Sequence, residues 1–115
     1  MEITPRYLRI YQSEDGKFPF IEWIKNLRDL RGKQKIEARL DRLRLGNMGD
    51  TRSVGAGVTE LRIQFGPGYR VYFGQESEEI TILLMGGDKG SQDEDIKKAK
   101  EFWKSHKKQK DYANR

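Results

Sequence analysis

From Tyr7 to Tyr11 apolar and polar side chains alternate, with Leu8 and Ile10 on one side and Tyr7, Arg9 and Tyr11 on the other, which predicts a first strand. After the turn-forming stretch SEDGK the period changes. Phe20, Trp23, Ile24 and Leu27 recur at spacings of three and four behind Pro19, predicting a helix from Pro19 to about Leu30. The proline suits a first helical position, where its missing N–H leaves no bond unmade. Gly32 is expected to break that helix, and a second follows over about Lys33 to Leu45 with Ile36, Leu40 and Leu43 as its apolar stripe. Lys35, Arg39 and Arg42 run beside the stripe at the same spacing. Two short helices in succession predict a helical hairpin. Gly46 to Gly57, GNMGDTRSVGAG, holds four glycines among Asn, Asp and Ser and predicts a loop.

Alternation then returns in three runs, Val58 to Phe65, Tyr69 to Gln75 and Glu79 to Met85. The linkers GPG and Glu76 to Glu78 are short, so the three predict an antiparallel meander. The last run, ITILLM, is apolar on both faces and calls for a central or well-covered place. Beyond GGDKG, Ser91 and Glu94 stand at capping-box spacing before a helix from Gln92 to about His106, with Ile96, Ala99, Phe102 and Trp103 inward. The basic tail to Arg115 is expected to fray. Together these elements predict one α+β domain spanning 1–115. It is a small antiparallel four-stranded sheet in the order β-α-α-β-β-β-α, with the helical hairpin and the C-terminal helix packed on it.

Strand periodicity places the candidate chemistry. Leu61, Ile63 and Phe65 share a face, as do Tyr69, Val71 and Phe73, which leaves Glu60, Arg62 and Gln64 with Arg70 and Tyr72 on an expected open, polar face. Pairing through the GPG turn brings Arg62 and Arg70 together. Two guanidinium groups side by side need an anion between them, such as a phosphate, or a carboxylate each. Lys89, in the loop after the last strand, can reach the same end of the sheet; its alternative is a solvated loop lysine. Tyr72 either presents its hydroxyl there or covers apolar surface with its ring.

Composition narrows the chemistry further. The 115 residues include no cysteine and one histidine, His106, so a metal site would need carboxylates almost throughout, and neither a thiol nucleophile nor a Ser-His-Asp triad is indicated. GGDKGS lacks the Gly-Lys-Ser/Thr ending of a phosphate-binding loop and GAGVTE the third glycine of a dinucleotide fingerprint, so no cofactor is expected. A net charge of +5 and a pI near 9.5 favour a polyanionic partner. Lys104, Lys107, Lys108 and Lys110 either complement a helix C-terminus or add to such a grip. No signal-like N-terminus or membrane-length apolar run is present, so a soluble, cytoplasmic protein with no membrane partner is expected.

ELRIQFGPGYRVYF followed by ILLMGGDKGSQDEDIKKA closely resembles the phage-derived, HigB-type killer proteins of the RelE/ParE toxin superfamily. The resemblance, which covers nearly the whole chain, implies the toxin of a type II toxin–antitoxin system. Its partner would be a cognate antitoxin, often a helix-turn-helix protein, and its targets the ribosome and mRNA, with cleavage through a 2′,3′-cyclic phosphate. A ParE-like inhibitor of DNA gyrase, without nuclease activity, is the alternative. Carried over onto this sequence, Arg70 would grip the scissile phosphate, Arg62 would be an additional cation and Lys89 would stabilise transition-state charge; Tyr72 or Glu60 is the nearest acid–base candidate. Lys35, Arg39, Arg42 and Gln64 complete the expected RNA-binding set. Ile96 stands at about the position where relatives carry a tyrosine or histidine, so no general base is named by the resemblance.

Overall fold

A computed structural model describes residues 5–113 of the chain. Its elements are β1 (Tyr7–Ile10), α1 (Pro19–Asn26), α2 (Leu30–Arg44), β2 (Thr51–Gly55), β3 (Val58–Ile63), β4 (Tyr69–Gln75), β5 (Ile80–Gly87), a single 3-10 turn (Lys89–Ser91) and α3 (Gln92–Ala113). The α+β class holds, but the sheet has five strands in the order β1-β5-β4-β3-β2, not four. It is also mixed: β1 runs parallel to β5, while β2, β3, β4 and β5 pair antiparallel. The extra strand, β2, lies inside the expected loop. It is an edge strand whose one large apolar residue is Val54, so it carries almost no alternating signal.

Gly32 opens a helix where the sequence pattern has it end one. Asp29 caps α2 by accepting from the Gly32 amide at 3.0 Å, and a β-carbon at Gly32 would run into the Tyr69 ring and the capping carboxylate. Tyr69 in turn donates its hydroxyl to the other Asp29 oxygen at 2.7 Å, fixing the start of α2 against β4. Burial and the Asp29 carboxylate push the Tyr69 phenol up to about 12. At the other end of the chain, α3 continues past His106 to Ala113, where fraying was expected; residues 114–115 lie outside the described residues. Glu76 in the turn before β5 holds that extension, bonded to His106 Nε2 at 2.9 Å and paired with Lys110 at 3.6 Å.

The sheet is covered on both faces, which overturns the expected open polar face. Helices α1 and α2 bury Phe20, Ile36, Leu40 and Leu43 against Leu61, Ile63, Tyr69, Val71, Phe73 and Leu83. On the opposite face α3 buries Ala99 and Trp103 against Tyr11, Val58, Tyr72, Ile82, Leu84 and Met85. A bulge in β5, where Met85 opposes Tyr72 and Leu83 opposes Phe73, turns both Leu84 and Met85 toward α3 and explains a strand apolar on both faces. No helix among the described residues is long and apolar enough to cross a membrane.

Both helical layers press directly onto strand backbone. A β-carbon at Gly86 would overlap the Trp23 ring, and one at Gly74 would overlap the Trp103 ring on the other face. Forcing a methyl into such contacts costs about 1–3 kcal/mol. Gly86→Ala and Gly74→Ala should each lower unfolding free energy by that amount in urea titrations; a change under about 0.5 kcal/mol, the usual size for an exposed site, would show that the rings do not rest on the sheet.

Candidate functional site

The register of β3 on β4 sets Arg62 opposite Arg70, as pairing through the GPG turn predicted, and Glu60 opposite Tyr72. With α3 lying over them, Glu60 has no exposed surface and must find its partners inside the protein. Arg52 Nε donates to Glu60 Oε1 at 2.9 Å, and Oε2 accepts from the Tyr72 hydroxyl at 3.1 Å and from Gln92 Nε2 at 3.0 Å. Arg70 Nε lies 3.9 Å from Oε2, close enough for charge pairing but too far for a hydrogen bond, and it is buried without another partner. Burial alone pushes the Glu60 carboxyl up, yet the bonds from Arg52, Gln92 and Tyr72 outweigh it and hold it below its ordinary value. Tyr72 moves the other way: burial first, then the Glu60 charge, push its phenol well up, so it stays a neutral donor.

Asp95, on the first turns of α3, is the second buried carboxylate of this region. It accepts a hydrogen bond from the Ser91 hydroxyl and presses on Gly87, where a β-carbon would collide with it. Burial pushes its carboxyl up despite that bond, and the Asp88 and Glu94 charges act in the same direction.

Of the expected catalytic set, Arg62 and Arg70 are neighbours in register but do not share an anion. Arg62 is held by Asp50, Arg70 lies beside Glu60, and the alternative of a carboxylate for each arginine is the arrangement found. Tyr72 is fully buried and spends its hydroxyl on Glu60. Lys89 is exposed on the 3-10 turn and adjoins the GPG hinge: a β-carbon on Gly68, whose φ is +82°, would sit 3.4 Å from Lys89 Cβ.

The expected RNA-binding residues, by contrast, come together with Arg62. Lys35, Arg39 and Arg42 on α2 line a cleft of about 500 Å³ together with Arg62, Gln64 and Phe65, and Asn47, Gly49 and Asp50 also line it. Four cations and one carboxylate line it. Arg39 Nη2 donates to the Met48 carbonyl at 2.7 Å, pinning the loop before β2, while its Nη1 is buried without a partner. Burial first, then the neighbouring Arg42 charge, lowers its pKa; the guanidinium remains charged. Lys35 Nζ stands 5.8 Å from the centre of the Phe65 ring. Among the described residues no cluster of three or more His, Asp or Glu side chains is placed to hold a metal ion.

Asp50, Arg52, Gln92 and Asp95 were not singled out from the sequence. The first two flank or belong to β2, and without that strand the pairing of Arg52 with Glu60 has no visible signal. Gln92 and Asp95 read as ordinary polar residues of a helix start; only the landing of α3 on the sheet gives them partners.

Glu60 is held lower in the fold than its ordinary value of 4.5, so its contribution to stability is full above about pH 4.5 and is lost as pH falls through its folded value. Glu60→Gln leaves Arg70 without a counter-charge and should cost about 3 kcal/mol at pH 7. The gap between wild type and variant should narrow below pH 4.5. Urea titrations at both pH values check this, and an unchanged gap would mean that the network does not depend on the charge.

Neither a family model nor a solved structure matches the chain. An uncharacterized protein of Haemophilus influenzae strain Rd is 53% identical over 81 residues, which span 70% of this chain and 82% of that protein. Identity of that degree over most of both sequences makes the two homologous, and the chain belongs to the same family as the Haemophilus protein.

Proposed function

We propose that the protein binds single-stranded RNA in the cleft between α2 and β3, and that it is the toxin of a type II toxin–antitoxin pair, acting on mRNA at the ribosome. The observation that carries the first part is the cleft itself: Lys35, Arg39, Arg42 and Arg62 against a single carboxylate, with the Phe65 ring among them. Cations in a groove track a phosphate backbone, and an aromatic ring offers a base a stacking surface. The toxin reading rests on the likeness of GPGYR and GGDKGSQ to the HigB-type killer proteins. The cognate antitoxin, a helix-turn-helix protein in that subgroup, is the partner this reading implies.

The reaction is attack of a ribose 2′-hydroxyl on the adjacent phosphorus, giving a 2′,3′-cyclic phosphate and a free 5′-hydroxyl. Its needs are alignment and stabilisation of the extra charge on phosphorus. Lys89 is the exposed cation at the GPG hinge, and loss of one such donor typically costs about 10²- to 10³-fold in rate. Glu60 and Tyr72 do not serve as acid or base on this reading: both are buried and bonded to each other. That same observation favours a second reading, the ParE-like gyrase inhibitor, which needs no acid–base pair.

Arg39→Ala/Arg42→Ala should weaken binding of a single-stranded oligoribonucleotide and flatten its log–log salt dependence by about 1.4, two phosphate contacts at about 0.7 each. An unchanged slope would remove the cleft from the interface. Expression without a partner, followed by mapping of 5′ ends on ribosome-bound transcripts, separates the two toxin readings: codon-phased cuts lost in Lys89→Ala support the nuclease, whereas intact messages with broken chromosomes support the gyrase inhibitor.

A further inference from the structure

The carboxylate of Asp50 lies in a cradle of three donors. Arg62 Nη2 and Nε donate to Oδ1 at 2.7 and 3.1 Å, and Gln64 Nε2 donates to Oδ2 at 3.1 Å. Donors spread over two oxygens of one anion would hold the two non-bridging oxygens of a phosphodiester equally well, because a guanidinium fork fits both groups. The cradle opens into the α2–β3 cleft, where Asp50 is the one carboxylate among Lys35, Arg39, Arg42 and Arg62. Asp50 therefore stands where an anionic ligand of the cleft would stand.

Two features make the occupancy reversible. The pair is partly open to water, with 40% of the Arg62 side chain and 33% of the Asp50 side chain exposed, so its hold on the closed form is weak, no more than about fivefold. The backbone, however, is fixed: the Arg62 amide donates to the Asp50 carbonyl at 2.9 Å, and Arg39 holds the Met48 carbonyl two residues earlier. Opening the cradle therefore needs only the Asp50 side chain to turn out into water, with no change in the backbone that carries Asp50 and Arg62.

We infer that Arg62 and Gln64 form a phosphodiester-binding site of the cleft, and that the Asp50 carboxylate occupies it until a phosphate of single-stranded RNA displaces it. The inference rests on the RNA-binding reading and adds the site and its internal competitor. The exchange swaps one monoanion for another, so the cradle never holds uncompensated charge. Asp50 thereby sets a threshold: a phosphate on its own competes poorly against a tethered carboxylate, while a strand already held by Lys35, Arg39 and Arg42 competes well.

The test is fluorescence anisotropy of the full chain with a short fluorescein-labelled oligouridylate, each variant first checked for an intact unfolding transition. Asp50→Asn and, as an independent substitution, Asp50→Ser should tighten binding about 3- to 10-fold, the pair's own strength plus relief of repulsion from the phosphate. Adding Arg62→Gln to Asp50→Asn should erase the gain. Glu101→Gln, an exposed site on α3 that changes net charge equally, should move affinity by less than about 1.5-fold, since screened charges far from the cleft contribute little. The proposal is overturned if the Asp50 variants bind no tighter, if Glu101→Gln gives the same gain, or if the gain survives without Arg62. In all three cases wild-type RNA binding stands. Failure of every variant and of wild type to bind the oligouridylate overturns the site together with the RNA reading.

Discussion

A carboxylate with no exposed surface, between a sheet and a helix, has to be paired or expelled, and Glu60 is paired four ways. Its partners come from three elements distant in sequence: Arg52 on β2, Tyr72 and Arg70 on β4, and Gln92 at the start of α3. That one group therefore ties the edge strand, the sheet interior and the last helix into a single arrangement. If α3 shifted, Gln92 would leave and Glu60 would meet water; if β2 detached, Arg52 would go with it. The same carboxylate is the charge partner of Arg70, whose side chain is mostly buried beside it.

Covering both faces of the sheet has a consequence for function. Buried polar groups on the α3 side of the sheet, Glu60 and Tyr72, are spent on one another, while four cations line the cleft between the end of β3 and α2. There Lys35, Arg39 and Arg42 keep their helical spacing on the outside of a helix whose inner stripe is committed to the core. The cleft is thus built from ordinary parts: an amphipathic helix, a strand end and a glycine-containing loop pinned by Arg39. Its positive charge is unspent except at Arg62, where Asp50 supplies a local anion.

Periodicity made most elements legible, because α1, α2 and β3 to β5 each bury an apolar face whose spacing matches their geometry. Helix α2 was readable down to the three cations beside its stripe, and the Arg62–Arg70 neighbour pair followed from the GPG turn; the Glu60–Tyr72 pair did not. The losses have common causes. The edge strand β2 buries little and so carries little pattern, and missing it hid Arg52 and Asp50. The parallel pairing of β1 with β5 is a long-range choice that local alternation does not encode. Alternation also says which residues share a face but not what covers that face, and the covering helix decides that Glu60 and Tyr72 are a buried pair.

On the proposed reading, RNA lies in the α2–β3 cleft while the Glu60 network stays closed beneath α3. Backbone amide spectra of the isotope-labelled full chain, titrated with a short oligouridylate, test it most directly. The largest shifts are expected on Lys35, Arg39, Arg42 and Arg62 to Phe65, with Glu60, Tyr72 and Gln92 unmoved. Shifts concentrated on Arg70, Tyr72 and the first turns of α3, with the cleft silent, would contradict it.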